Sequence, residues 1–263
     1  MTQRLALDPV IEVINLLSRW AWHQVVALST TWMNRWIFVP IRWPAAVARL
    51  YSLSRDLAWS IAALLVILAI LRSMWPELAI PGGHMPIRLF FERMAAAALI
   101  STAGLWGVEM MVSVNNGVVS ALVQNAAVWH FAVQPVSGIL TPFLALVVAI
   151  AMMALILYLA VFYAIRAIEL FVLTAAIPWF ALWWASSRND MPLINLFKEL
   201  VVVIFVQSLH AAAFWLVMHV AISGSLSLLN AFLELALLWY MTKLPAQFRR
   251  LMGIGLGAKE LWR

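Results

Sequence analysis

The run Ile139–Tyr163 constrains this chain most, because 25 successive residues pass without a charged side chain. At a helical rise of about 1.5 Å per residue it exceeds a bilayer core of about 30 Å, so it can span a membrane while tilted. It is the most hydrophobic stretch among several. Apolar residues make up 65% of the sequence and charged residues 11%, against roughly 45–50% and 25% in soluble domains. The apolar runs are continuous and do not alternate, which argues against a β-barrel. The expected fold is therefore all-α: a polytopic transmembrane helical bundle of five or six spans in a multi-pass cell-membrane protein. Little room remains for a soluble domain or a nucleotide-binding engine.

The residues sort into three regions. Positions 1–56 are the least membrane-like, with Val10, Val13, Ile14 and Leu17 at helical spacing among Asp8, Glu12 and Arg19. Trp20, Trp22, Trp32 and Trp36 stand close to Arg19, Arg35 and Arg42. Tryptophan beside arginine marks the headgroup zone, so this region is expected to form interfacial amphipathic helices broken by Pro40 and Pro44. Asp8 and Glu12 interrupt the place where a cleavable signal needs an apolar core. Spans are expected at about 57–74, 89–114, 139–163, 166–185, 196–222 and 226–241. Asn115-Asn116-Gly117 should end the second, with residues 117–138 forming an amphipathic hairpin or re-entrant loop. Residues 242–263 form a basic tail.

The net charge of +6 is spread among the ends of these runs and forms no dense patch, which suits anionic headgroups better than nucleic acid. Positive-inside counting leaves both topologies open. Six spans place most cations in the cytoplasm but also put the uncharged 115–138 loop there; five spans put that loop outside. With no cysteine in the chain, disulfides and thiolate metal sites are excluded.

Polar groups inside the apolar runs are the candidate functional residues, since each is costly unless it meets a partner or a wet cavity. Arg166 and Glu169 are three apart and share a helix face, suited to a local ion pair, a link to a neighbouring helix or a pore lining. Gln207 and His210 are likewise three apart, with Phe214 on the same stripe; a histidine there usually hydrogen-bonds a neighbouring helix. A proton relay would need a chain of such groups, and His219 is the nearest further member. Ser223, Ser227, Asn230 and Glu234 fall at spacings of four, three and four, giving one small, polar face fit for a subunit interface or a water-lined path. Glu109 is the other carboxylate on an apolar helix. Catalytic constellations, phosphate-binding glycine loops and metal-ligand spacings do not occur, so neither enzyme activity nor a cofactor is expected beyond bound lipid.

The stretch from Leu157-Tyr158 through Arg166-x-x-Glu169 to Pro178 resembles the TrbL family, polytopic inner-membrane subunits of conjugative type IV secretion systems. Leu196-Phe-Lys-Glu-Leu200, Phe205-Val-Gln-Ser-Leu-His210-Ala and Leu244-Pro245 followed by Arg249-Arg250 carry the same likeness. The N-terminal region with Pro40 and Pro44 is similar to Gram-positive forms. The resemblance covers about Leu57–Gly253 in layout and Ile139–Arg250 in residues. The chain departs from the family by lacking the long soluble C-terminal extension that many members carry, so functions resident there do not transfer. The resemblance implies a homo-oligomeric channel or scaffold subunit that works with pilin, other secretion-machine subunits and separate cytoplasmic ATPases, with DNA or protein in transit. A small-solute or ion permease using Glu109, Arg166, Glu169, His210 and Glu234 is the rival expectation, although paired inverted halves are not evident. A purely structural pilus-assembly platform is the third.

Overall fold

A computed structural model describes residues 12–21, 23–25, 27, 37–74, 86–124, 140–187, 189–222 and 228–254. Among them every regular element is a helix, and strands are absent. Helix α1 covers residues 12–21. It is followed by α2 (Ala45–Met74), α3 (Ile87–Gln124), α4 (Leu140–Ser186), α5 (Met191–Ile222) and α6 (Leu228–Leu251). Among the described residues, four segments are long and apolar enough to cross a membrane: Ala45–Leu71, Ile87–Val123, Leu146–Ser186 and Met191–Leu216. Within a bilayer core only such helices satisfy their own backbone groups. The last run, expected as a sixth span, is not among them. Glu234, Lys243, Arg249 and Arg250 dilute the apolarity of α6.

Local chemistry explains where the helices begin and end. Pro44 and Pro86 stand just before α2 and α3, and their carbonyls accept from the Val47 and Phe90 amides at 2.9 and 3.1 Å. Asn189 Oδ1 accepts the Met191 amide at 3.0 Å, capping α5 ahead of Pro192, whose missing N–H costs nothing in a first turn. At the end of α6, Gly253 takes a φ of 67°. Its amide donates to the Arg250 carbonyl, and the Ile254 amide reaches back to Arg249, each at 3.0 Å. These are the two bonds of a Schellman motif.

Two expected breaks are absent. The spans expected at 139–163 and 166–185 are one 47-residue helix, α4, with Pro178 inside it. Arg166 and Glu169 interrupt its hydrophobicity but not its i→i−4 ladder, and charge alone does not end a helix. Likewise α3 runs through Asn115-Asn116-Gly117 to Gln124, because the Asn115 amide is engaged by α5 side chains. Residues 117–124 thus belong to a helix; 125–138, the rest of the expected loop, lie outside the described residues, as do Trp22, Trp32, Arg35, Trp36, Ser223 and Ser227.

The chain divides into two compact units. Unit 1 comprises residues 1–40, 115–166 and 205–248, and unit 2 comprises 41–114, 167–204 and 249–263. The core of unit 1 joins Ala21 and Val25 near the N-terminus, Val119 of α3, Met152, Ile156 and Leu159 of α4, Phe214 of α5 and Met241 of α6. Unit 2 buries large side chains such as Leu170, Ile177, Leu200 and Ile204, and one of its clusters is built mostly from smaller residues: Ala58, Ala62, Met94, Ala97, Ala181, Leu182 and Ala185. Small side chains let helix backbones approach closely. At Gly104 a Cβ would stand 2.7 Å from Tyr51 Oη and 2.9 Å from Ile177 Cγ2, so neighbouring side chains fill the space that glycine leaves.

Candidate functional site

Unit 1 holds a buried network of neutral polar groups with Gln207 at its centre. Past Ile37 the backbone leaves helical geometry, and Pro40 carries no N–H, so carbonyls there lack a ladder. Gln207 Nε2 donates to the Ile37 carbonyl at 2.7 Å and to the Val39 carbonyl at 3.0 Å. Its Oε1 accepts from Asn115 Nδ2 at 2.9 Å. Asn115 Oδ1 in turn accepts from Ser208 Oγ at 2.7 Å. Gln207 and Asn115 are both buried, and an unpaired amide there would cost roughly 1–3 kcal/mol. The network ties α3 and α5 to the irregular stretch before α2.

One turn along α5, His210 is closed off in a similar way. Its Nε2 lies 2.9 Å from the Met241 carbonyl, and its Nδ1 lies 2.6 Å from Tyr163 Oη. A carbonyl can only accept, so Nε2 carries the proton, and in the neutral ring Nδ1 accepts from the Tyr163 hydroxyl. The Arg166 guanidinium lies 5.2 Å from the centre of the Tyr163 ring, within cation–π range, and is itself buried. With both ring nitrogens engaged, His210 holds α4, α5 and α6 together and cannot pass a proton without breaking one of these bonds.

Unit 2 joins its helices partly through the buried Tyr51 and Ser54 hydroxyls, which donate to the Ser101 and Ala175 carbonyls, and adds charged groups at half-exposed positions. Glu169, expected beside Arg166, meets Arg249 Nη2 at 2.7 Å, while Arg249 Nε contacts Glu199 at 3.0 Å. Arg93 Nη1 donates to the Ser187 carbonyl at 2.8 Å and more weakly to that of Trp184 at 3.4 Å. Its Nη2 pairs with Asp190 at 3.2 Å, and the guanidinium lies 5.2 Å from the centre of the Trp184 ring. Trp184 Nε1 closes the knot by donating to Asp190 at 2.7 Å. Arg93 thus takes up carbonyls that the end of α4 leaves open.

Several expected site residues are scattered. Glu109 is exposed on α3, and Trp20 and Arg42 are exposed near the N-terminus. Asn230 and Glu234 both belong to α6. Glu234 is half-buried. Among the described residues, two buried side-chain polar atoms lack a hydrogen-bond partner: Trp43 Nε1 and Glu234 Oε2. No three metal-ligating side chains come together among the described residues. A crevice in unit 2 lined by Ala58, Met94, Ala97, Pro178 and Leu182 offers about 20 Å³, room for a single water.

Sequence reasoning missed Tyr163, Asn115 and Arg249 as members of these constellations. Asn115 carries a signal, an amide in an apolar run, but Asn115-Asn116-Gly117 reads equally as a helix stop. Tyr163 had none, since its partner is 47 residues away. Comparisons of the chain with known protein families, curated proteins and solved structures find no match.

Proposed function

We propose that this chain is a membrane-embedded channel or scaffold subunit of a conjugation-type type IV secretion machine, supporting transfer of DNA or protein across the cell membrane. The resemblance of Ile139–Arg250 to the TrbL family motivates the machine. The observation that carries an assembling subunit is Glu234. The amides and imidazole buried in unit 1 find partners within the chain, whereas one carboxylate oxygen of Glu234 has none. Phe232, Leu233, Trp239 and Tyr240 beside it are exposed. A carboxylate in such surroundings calls for a cation or a donor, and a second copy or another subunit of the machine would supply it.

In this reading the polar residues of α4 and α5 fix how helices meet, and separate ATPases, pilin and further channel subunits act around them. The exposed Val13, Leu16, Leu17 and Trp20 of α1, at spacings of three, one and three, would rest on the membrane surface, with Arg42 as a further headgroup anchor. Deleting the gene from a donor cell and restoring it on a plasmid tests the assignment. Loss of conjugative transfer with restoration on complementation is expected. Unchanged transfer, together with solute flux through proteoliposomes of the purified chain, would replace it with the permease reading.

A further inference from the structure

Helix α6 contains Pro245. A proline has no amide hydrogen, so the carbonyl four residues earlier loses its helical donor. That carbonyl belongs to Met241, and it is the group to which His210 Nε2 donates at 2.9 Å. Met241 is fully buried, away from water that could otherwise serve the orphaned oxygen. The imidazole stands in for the missing amide, and Tyr163 Oη, 2.6 Å from Nδ1, holds the ring in the tautomer that can do so.

From this geometry we propose that Pro245 is a hinge in α6 and that His210, set by Tyr163, is the latch that holds it. With the latch closed, the Met241 carbonyl is satisfied and the direction of α6 is held. With the latch open, the proline leaves that turn short of a bond, and the segment carrying Arg249 and Arg250 is free to change direction. Unit 2 contains a related pairing. Pro178 lies within α4, and Ser54 Oγ donates to the carbonyl of Ala175, three residues before it. A side chain from another helix thus attends each of these two prolines. The latch does not depend on the chain's place in a secretion machine.

The test exploits the absence of native cysteine. Cysteines replacing Phe232 and Arg250, both exposed, are spin-labelled; 18 residues of straight helix separate them by about 27 Å. Distance distributions are measured in lipid nanodiscs for the wild-type chain, His210→Phe, Pro245→Ala and the double variant. His210→Phe is expected to broaden the distribution at least twofold. In the double variant the width should return to that of the wild type, because alanine in place of Pro245 restores the amide donor to the Met241 carbonyl. The loss of a Tyr163 acceptor is common to both backgrounds and cancels in the cycle. Recovery of a folded chain by the double variant, where His210→Phe alone does not fold, supports the latch equally. Equal widths in the wild type and His210→Phe would overturn it, as would a broadening, or a failure to fold, that Pro245→Ala does not relieve.

Discussion

Unit 1 links its helices through buried neutral groups, whereas unit 2 adds accessible ion pairs to the buried hydroxyl bonds of Tyr51 and Ser54, and the difference follows from where each connection lies. In unit 1 the linking groups are buried and neutral: Asn115, Gln207, Tyr163 and His210. Their energy comes from leaving no donor or acceptor unmet. In unit 2 the pairs Arg93–Asp190 and Arg249–Glu169–Glu199 include side chains that remain substantially accessible. Burying such charges fully would cost more than their attraction returns. Amides and an imidazole therefore lie where water is excluded and these ion pairs where it is not, with Arg166, buried over the Tyr163 ring, as the exception.

The largest effect expected from this contrast is at Gln207. Gln207→Leu removes the donor to two carbonyls and the acceptor of the Asn115 amide, leaving three groups unmet. Chemical unfolding in detergent should show a loss of about 3 kcal/mol or more. A loss below about 1 kcal/mol would mean that water reaches the network and that the contrast between the units is false. Gly104→Val should follow, at about 1–3 kcal/mol from overpacking against Tyr51 and Ile177. Tyr51→Phe in the same chain should recover part of it, since the Tyr51 hydroxyl is the nearest atom. The smallest effect is expected at Arg249. Its pairs are roughly a third exposed, so Arg249→Gln should cost under about 1 kcal/mol, and that cost should shrink as salt rises. A salt-independent loss of several kcal/mol would show that these charges are as dry as Gln207.

Particular residues show how far the sequence could be read. The apolar runs gave the helical class, and the gap between α4 and α5 falls inside the one expected between spans 166–185 and 196–222. Gln207 and His210 were recognisable because polar side chains are expensive in such surroundings. What they bind was not, because Ile37, Asn115, Tyr163 and Met241 are remote in sequence, and backbone carbonyls carry no sequence signal. Arg166 and Glu169 misled in two ways. Their charges suggested a gap between spans where α4 continues unbroken, and their spacing suggested a local pair, whereas Glu169 meets an arginine 80 residues away. Asn115-Asn116-Gly117 misled for a related reason. Residues that favour a helix end do not impose one when a neighbouring helix supplies partners.

The buried amides and imidazole of unit 1 are satisfied within the chain, whereas Glu234 Oε2 is not, and the proposed role requires another subunit to complete it. Native mass spectrometry of the chain released from lipid, wild type against Glu234→Leu, tests it most directly. The wild type should appear as an oligomer, and Glu234→Leu should insert normally but appear predominantly as monomer. A monomeric wild type, or an oligomer unchanged by Glu234→Leu, would contradict it.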